Sequence, residues 1–406
     1  MNVVERFFKY VSFDTQSSFE SDEYPSTSKQ KLFGEYLVDE LISLGVTNAA
    51  IDRFGCVTGS IPGNVADTPV LGLLAHMDTS PDMKGGDVKP RIVKCYNGGD
   101  IVLNKEKNIV MSPTLFTDLM KYYGHDLIVT GGDTLLGADN KAGIAEIMTM
   151  AEILLTDHDI SHGEIRIAFT PDEEIGKGTI HFDPKQFGAD IAYTVDGGEP
   201  GEVSYENFNA AAAIVTIQGR SVHPGSAKDK MLNASLIAMQ FQSMLPQWEA
   251  PQHTEGYEGF FHLTDFKGSV DHAVLKYIIR DHSESIFSRR KKRLLEISDY
   301  LNRFYGAGTV AIEVTDSYRN MISKIQSKMY LIENTIRAME ELNMVPIIRP
   351  IRGGTDGARL SWMGLPCPNI CCGGHYAHGP YEFISVKSLE DISRLLVKLT
   401  EKTVKK

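Results

Sequence analysis

Three apolar runs in this chain each end in acidic or imidazole side chains: PVLGLLAHMDT at 69–79, GEIRIAFTPDEE at 163–174 and DIAYTVDGG at 190–198. Short apolar runs bounded by turn formers predict buried strands. The segment NKAGIAEIMTMAEILLT at 140–156 predicts a helix between the first two. Strands alternating with helices predict an α/β domain with a mixed, mainly parallel sheet. In such open sheets the ligand crevice lies beyond the carboxyl ends of the strands. Three polar strand ends are therefore expected to converge on one site.

The length of 406 residues exceeds the size at which a single core keeps growing, so two domains are expected. From Asn207 the pattern changes: NFNAAAAIVTIQG, HAVLKYIIRDH and TVAIEVTDSY read as strands, and MLNASLIAMQFQSML and FSRRKKRLLEISDYLNRFYG as helices. Two β-α-β units in that order predict a small α+β sandwich over 208–320, inserted into a main domain formed by 1–207 and 321–406.

Charge and composition narrow the function. A formal net charge of -12 argues against nucleic acid or an anionic membrane as partner. No stretch approaches the roughly 18 apolar residues of a membrane helix. The N-terminal Val4, Phe7, Phe8 and Val11 follow helical spacing rather than a leader pattern. Cys56, Cys95, Cys367, Cys371 and Cys372 form neither a disulfide framework nor a CxxC metal site. Together these predict a soluble cytoplasmic protein. The basic run SRRKKR at 288–293 continues into a helix and reads as a solvated face, and STSK at 26–29 lacks the companions of a serine acyl enzyme.

The polar strand ends carry the chemistry. His76 and Asp78 are two apart at a strand end and leave the same face, as a metal-bound imidazole and its orienting carboxylate would. Asp139 precedes the helix, where its plainer role is an N-cap. Glu173 and Glu174 are adjacent carboxylates, costly in a cleft unless a cation or a raised pKa relieves them. Asp196 ends the third run in an Asp-Gly turn, and His375 and His378 lie in a glycine-containing loop. Each has an ordinary structural reading alone. In combination, an oxygen-rich set with imidazoles suits two divalent, zinc-like ions bridged by one carboxylate and one water. The Glu173–Glu174 pair then offers one ligand and one general base.

The strings AHMDT, GADNKAG, FTPDEEIGKG, YTVDGG, GRSVHPG and IRGGTDGARLSWMGLPCPN, in this order along the chain, resemble the dizinc exopeptidases, a family that also contains aminoacylases and glutamate carboxypeptidases. The longer strings resemble its tripeptide-aminopeptidase branch. That resemblance implies that His76 and Asp196 bind one metal, Glu174 and His378 the other, and Asp139 both, through a cis Asp139–Asn140 peptide. It implies that Asp78 orients His76, that Glu173 is the general base, and that His223 stabilises an oxyanion. Arg280 and Arg352 would clamp the substrate carboxylate. Implied too are two divalent ions (zinc, with cobalt or manganese as alternatives), short peptide substrates, and a homodimer built through the inserted lid or dimerisation domain. Two departures from the family pattern bear on substrate preference: Asn140 stands where an acidic residue is expected, and Pro380 and Tyr381 replace more basic residues after Gly379. The same chemistry would serve a dipeptidase, carboxypeptidase or N-deacylase. A non-catalytic metal-binding scaffold would have to keep the fold while losing a ligand or the base, and none is missing.

Overall fold

The computed structural model describes residues 1–404. The chain divides into two compact units. One contains Met1–Tyr205, Ser323–Arg349 and the segment from Thr355 onward; the other contains Glu206–Ile322 and Pro350–Gly354.

The first unit is built on an eight-stranded sheet with strand order 47–51, 57–61, 165–170, 71–76, 191–197, 369–371, 202–204, 347–348. Its four central strands run parallel, with His76 beside Thr170 and Leu74 beside Thr194, so their C-terminal ends lie at one edge. The strand Leu71–His76 is buried along its whole length, as expected of a strand covered on both faces. The helix Ala138–Thr156 is buried nearly all round and packs against the strands Leu71–His76 and Ile191–Gly197 and the C-terminal helix Val386–Val404. Gly143 allows this close approach, because a Cβ there would meet the carbonyl oxygen of Val195. Among the described residues no helix is long and apolar enough to cross a membrane, and all five cysteines are free thiols.

The second unit is a four-stranded antiparallel sheet, order 260–268, 272–281, 209–218, 310–318. Alternate residues of Asn209–Gln218, including Val215 and Ile217, join Phe241, Leu275, Ile279, Leu294 and Leu301 in a core beneath the helices Ala234–Ser243 and Glu284–Tyr305. Sequence patterning missed the edge strand Phe260–Gly268, where only the first residues are buried and Asp265 and Lys267 interrupt the apolar signal. The basic run is not wholly solvated either. Arg290 is largely buried, donating from Nε to Asp281 (2.8 Å) and from Nη2 to the Gly259 carbonyl (3.1 Å), and pairing with Glu249. Pro350–Gly354 joins this unit through backbone bonds from Ile351 to Glu206 (2.8 Å) and from Phe208 to Ile351 (3.2 Å).

Candidate metal centre

The converging strand ends of the first unit bring five side chains into two groups that share Asp139. His76, Asp139 and Asp196 form one, and Asp139, Glu174 and His378 the other; in each, the ligand atoms lie within 4.8 Å of one another. His76 Nε2 is 2.9 Å from Asp139 Oδ1 and 3.3 Å from Asp196 Oδ1. His378 Nε2 is 2.8 Å from Glu174 Oε2 and 3.3 Å from Asp139 Oδ2. The two oxygens of Asp139 thus face different groups, as a bridging carboxylate must. Asp139 caps no helix: the left-handed Gly137 begins this one, Asp139 and Asn140 are non-helical, and the peptide between them is cis.

Neighbouring groups fix this arrangement. His76 Nδ1 faces the Asp78 carbonyl at 3.0 Å and the Asp78 carboxylate at 3.4 Å. With the Nδ1 proton directed there, Nε2 presents its lone pair to the shared site. The fully buried Asp78 carboxylate also accepts the backbone N–H of Glu173 (3.0 Å) and of Glu174 (3.1 Å), joining two of the polar strand ends. Glu382, also buried, accepts from the backbone of Leu136 (2.6 Å), Gly137 (2.8 Å) and Asp139 (3.1 Å), and so holds the loop that carries the shared carboxylate. Asp82 lies 3.5 Å from Nδ1 of His378, and Asp356 accepts from Thr170 Oγ1 at 2.8 Å. The sequence reading missed all three. The only signal for Glu382 was its position four residues after His378.

The donor set fits divalent cations. Three carboxylates crowd two imidazoles, and Glu174 Oε1 is buried without a hydrogen-bond partner. Without metal, protons must take the place of cations. Hydrogen bonds to Asp139 and Glu174 raise His378 to about 11. Burial would lower His76, but Asp196, Asp139 and Asp78 outweigh it and hold that imidazole well above its ordinary range. Burial, then the charge of Asp139, pushes Glu174 up to about 7. Glu173 belongs to neither group. Burial, followed by the charge of Asp196, holds it well above the usual carboxylate range.

Among the described residues, no further side chain joins the two groups. His375 faces the Tyr122 hydroxyl at 2.6 Å and stacks on Phe383, and burial lowers it to about 4. Asn140 is buried with neither amide atom partnered, and Tyr381 packs on Phe116.

Comparison with known proteins agrees with this geometry. Residues 205–309 match the M20 peptidase dimerisation domain. The chain is 52% identical over 400 residues to peptidase T of Clostridium acetobutylicum and 53% identical over 400 residues to that of Halothermothrix orenii, with 98% of each chain covered. The chain belongs to the peptidase T family. It is a peptidase. Two solved structures share its fold: aminopeptidase PepT of Bacillus cereus (TM-score 0.79, 22% identity) and a tripeptidase of Staphylococcus aureus (TM-score 0.78, 20% identity). In both cases the match covers 100% of this chain and 98% of the other.

The remaining three residues expected from the peptidase T resemblance lie in the second unit. His223 is exposed at the start of the short turn Pro224–Ser226, and its Nδ1 accepts from the Gly225 N–H at 3.1 Å. Arg280 sits near the end of the strand His272–Asp281 and donates to the Arg352 carbonyl at 2.9 Å. The Arg352 guanidinium turns the other way, onto the loop 254–258.

Proposed function

We propose that this chain is a metal-dependent aminopeptidase that releases the N-terminal residue from tripeptides. The observation that carries the reading is the pair of ligand groups sharing Asp139, with the non-ligand carboxylate of Glu173 next to the ligand Glu174. His76 and Asp196 would hold one ion, Glu174 and His378 the other, and Asp139 both. Two divalent ions held there supply Lewis acidity to an amide carbonyl and make water nucleophilic at neutral pH. Glu173 takes the proton of the attacking water and delivers it to the leaving amine. The Asp78 carboxylate, through the backbone of both glutamates, keeps base and ligand in register. His223, exposed and with its Nδ1 engaged by the Gly225 N–H, is the donor to the developing oxyanion through Nε2. Zinc is the metal proposed, since a mixed carboxylate and imidazole set suits it, with cobalt or manganese as substitutes. A homodimer through the inserted unit and a cytoplasmic location complete the proposal; the match to a dimerisation domain supports the first, and five cysteines without a disulfide framework the second.

The test is hydrolysis of a free tripeptide, its N-acetylated form and a dipeptide by zinc- or cobalt-loaded protein, with a chelated control. Metal-dependent release of the N-terminal residue from the free tripeptide alone is expected. Cleavage of the acetylated peptide or the dipeptide instead would move the assignment to a deacylase or dipeptidase on the same chemistry.

A further inference from the structure

Glu173 and Glu174 sit on a turn that follows the strand Ile165–Thr170, and Asp78 holds the backbone of that turn from one side. A second buried carboxylate holds it from the other. Asp172, the residue before the pair, has a φ of 56°, in the left-handed region that aspartate enters more readily than most side chains. Its side chain is fully buried, and among the described residues its partners are three neutral donors. Oδ2 accepts the Ser26 N–H at 2.6 Å; Oδ1 accepts the Ser26 hydroxyl and, at 2.7 Å, Nε2 of Gln30. Gln30 is buried as well, and its Oε1 accepts the backbone N–H of Asp172 at 3.0 Å. One amide side chain therefore meets Asp172 at two points, carboxylate and backbone.

The same stretch of chain reaches the far end of the turn. The Tyr24 hydroxyl lies 2.9 Å from the Lys177 carbonyl oxygen and 2.8 Å from that of Gly178. Inside the turn, the Lys177 N–H donates to the Asp172 carbonyl at 2.9 Å and the Gly176 N–H to that of Glu173 at 2.7 Å. Further back, the Thr79 N–H donates to the Thr15 carbonyl at 3.3 Å, and the Ser17 N–H to the Thr79 carbonyl at 3.1 Å. Residues 15–30 thus strap the strand end that carries His76 to the turn that carries Glu173. A general base must be held within hydrogen-bond reach of the proton it takes, and a displacement of about 1 Å can cost on the order of 10²-fold in rate. Neutral bonds to a buried carboxylate fix such a turn without placing a further cation beside the two metal groups.

We propose that Asp172 and Gln30 are positioning residues for the general base, fixing the backbone from which Glu173 reaches the attacking water. This rests on the peptidase reading in which Glu173 is that base. Neither residue touches substrate or metal; both act through Glu173.

The experiment measures kcat and KM for a free tripeptide, with metal content, in the metal-loaded full-length chain carrying Asp172→Asn, Gln30→Glu or both. Asp172→Asn turns an N–H toward the Gln30 amide N–H, and Gln30→Glu sets two carboxylates face to face. Combined, the new amide donates to the new carboxylate, so the pair is restored with its direction reversed; the Ser26 hydroxyl can accept as well as donate. Each single variant should lower kcat roughly 10- to 100-fold, with KM within about 3-fold of wild type and two ions still bound. The double variant should recover to within about 5-fold of wild type. Added to Glu173→Gln, Asp172→Asn should lower kcat no further, because the group it positions is already lost. Single variants with full kcat and only a lower urea midpoint overturn the inference, as does a double variant no better than the worse single. A full further loss on top of Glu173→Gln, or loss of an ion along with kcat, overturns it too. If neither single variant folds, the double decides: folded and active supports the pair, folded and inactive overturns it. All these outcomes leave the peptidase reading standing. A wild type that binds two ions and cleaves no peptide overturns both.

Discussion

The two units of this molecule place charge in opposite circumstances. In the first, carboxylates and imidazoles face one another at 2.8–3.3 Å and leave Glu174 Oε1 buried without a partner, an arrangement that needs cations to be complete. In the second, Arg352 directs both terminal nitrogens of its guanidinium onto the carbonyls of Thr254, Gly256 and Glu258 and the Thr254 hydroxyl, while Nε of the adjacent Arg280 is buried without a partner. The comparison shows that a charged residue's role follows from what remains unsatisfied around it, not from its type. A group whose donors or acceptors are all engaged builds structure. A buried one with spare capacity is available to a ligand.

The largest expected effect falls on Glu173, a carboxylate beside the metal centre that belongs to neither ligand group. Glu173→Gln should lower kcat by about 10²–10⁴-fold, the usual contribution of a general base. Metal content, measured by elemental analysis, should stay at two ions per chain. Loss of an ion together with activity would make Glu173 a ligand and merge it with the groups from which it is separated here. Next is His223→Ala in the second unit. Loss of an oxyanion donor should lower kcat by roughly 10²–10³-fold with bound metal unchanged. A variant with full activity would leave the second unit with no part in the chemical step.

Asp78→Ala should act on metal binding before chemistry. It removes the acceptor of two backbone N–H groups and the carboxylate beside His76. Groups that orient ligands are typically worth about 10–100-fold in metal affinity, so titration with a competing chelator should show weakening of that order. An unchanged affinity would mean that the Asp78 carbonyl, at 3.0 Å from Nδ1, suffices to orient His76.

The same contrast accounts for what could be read from the sequence. His76, Asp139, Glu174, Asp196 and His378 were legible because each is a ligand type at the end of an apolar run or in a short polar loop, and parallel strands bring such ends together. Glu382 was not, because its task is to accept three backbone N–H groups from a loop more than 240 positions earlier, which leaves no trace in its neighbours. Asp82 and Asp356 were missed for the same reason. In the second unit the strands and helices with clear alternation were found, but not the edge strand Phe260–Gly268, whose outer half is charged and exposed. Nor could any pattern separate the two arginines, since their difference lies in which carbonyls happen to face them. Five residues, Pro350–Gly354, belong to the second unit although the chain around them belongs to the first, a division set by backbone pairing with Glu206 and Phe208.

The smallest expected effect on chemistry tests whether the open state of Arg280 depends on its support. Gly354→Ala places a methyl group 2.8 Å from the Tyr318 ring, which must shift because it cannot compress. Overpacking of this kind costs about 1–3 kcal/mol. The cost should appear in urea unfolding of the second unit, with metal affinity untouched because no ligand lies in it. Since the Tyr318 ring lies beside the Arg280 guanidinium, KM for a free tripeptide should rise severalfold while that for its carboxamide does not. If stability falls and both KM values hold, Tyr318 only fills space and Arg280 is oriented by the Arg352 carbonyl alone. If metal affinity also falls, the two units are energetically coupled, and the division of labour between a centre that awaits cations and an arginine that awaits an anion is less complete than the separate geometries imply.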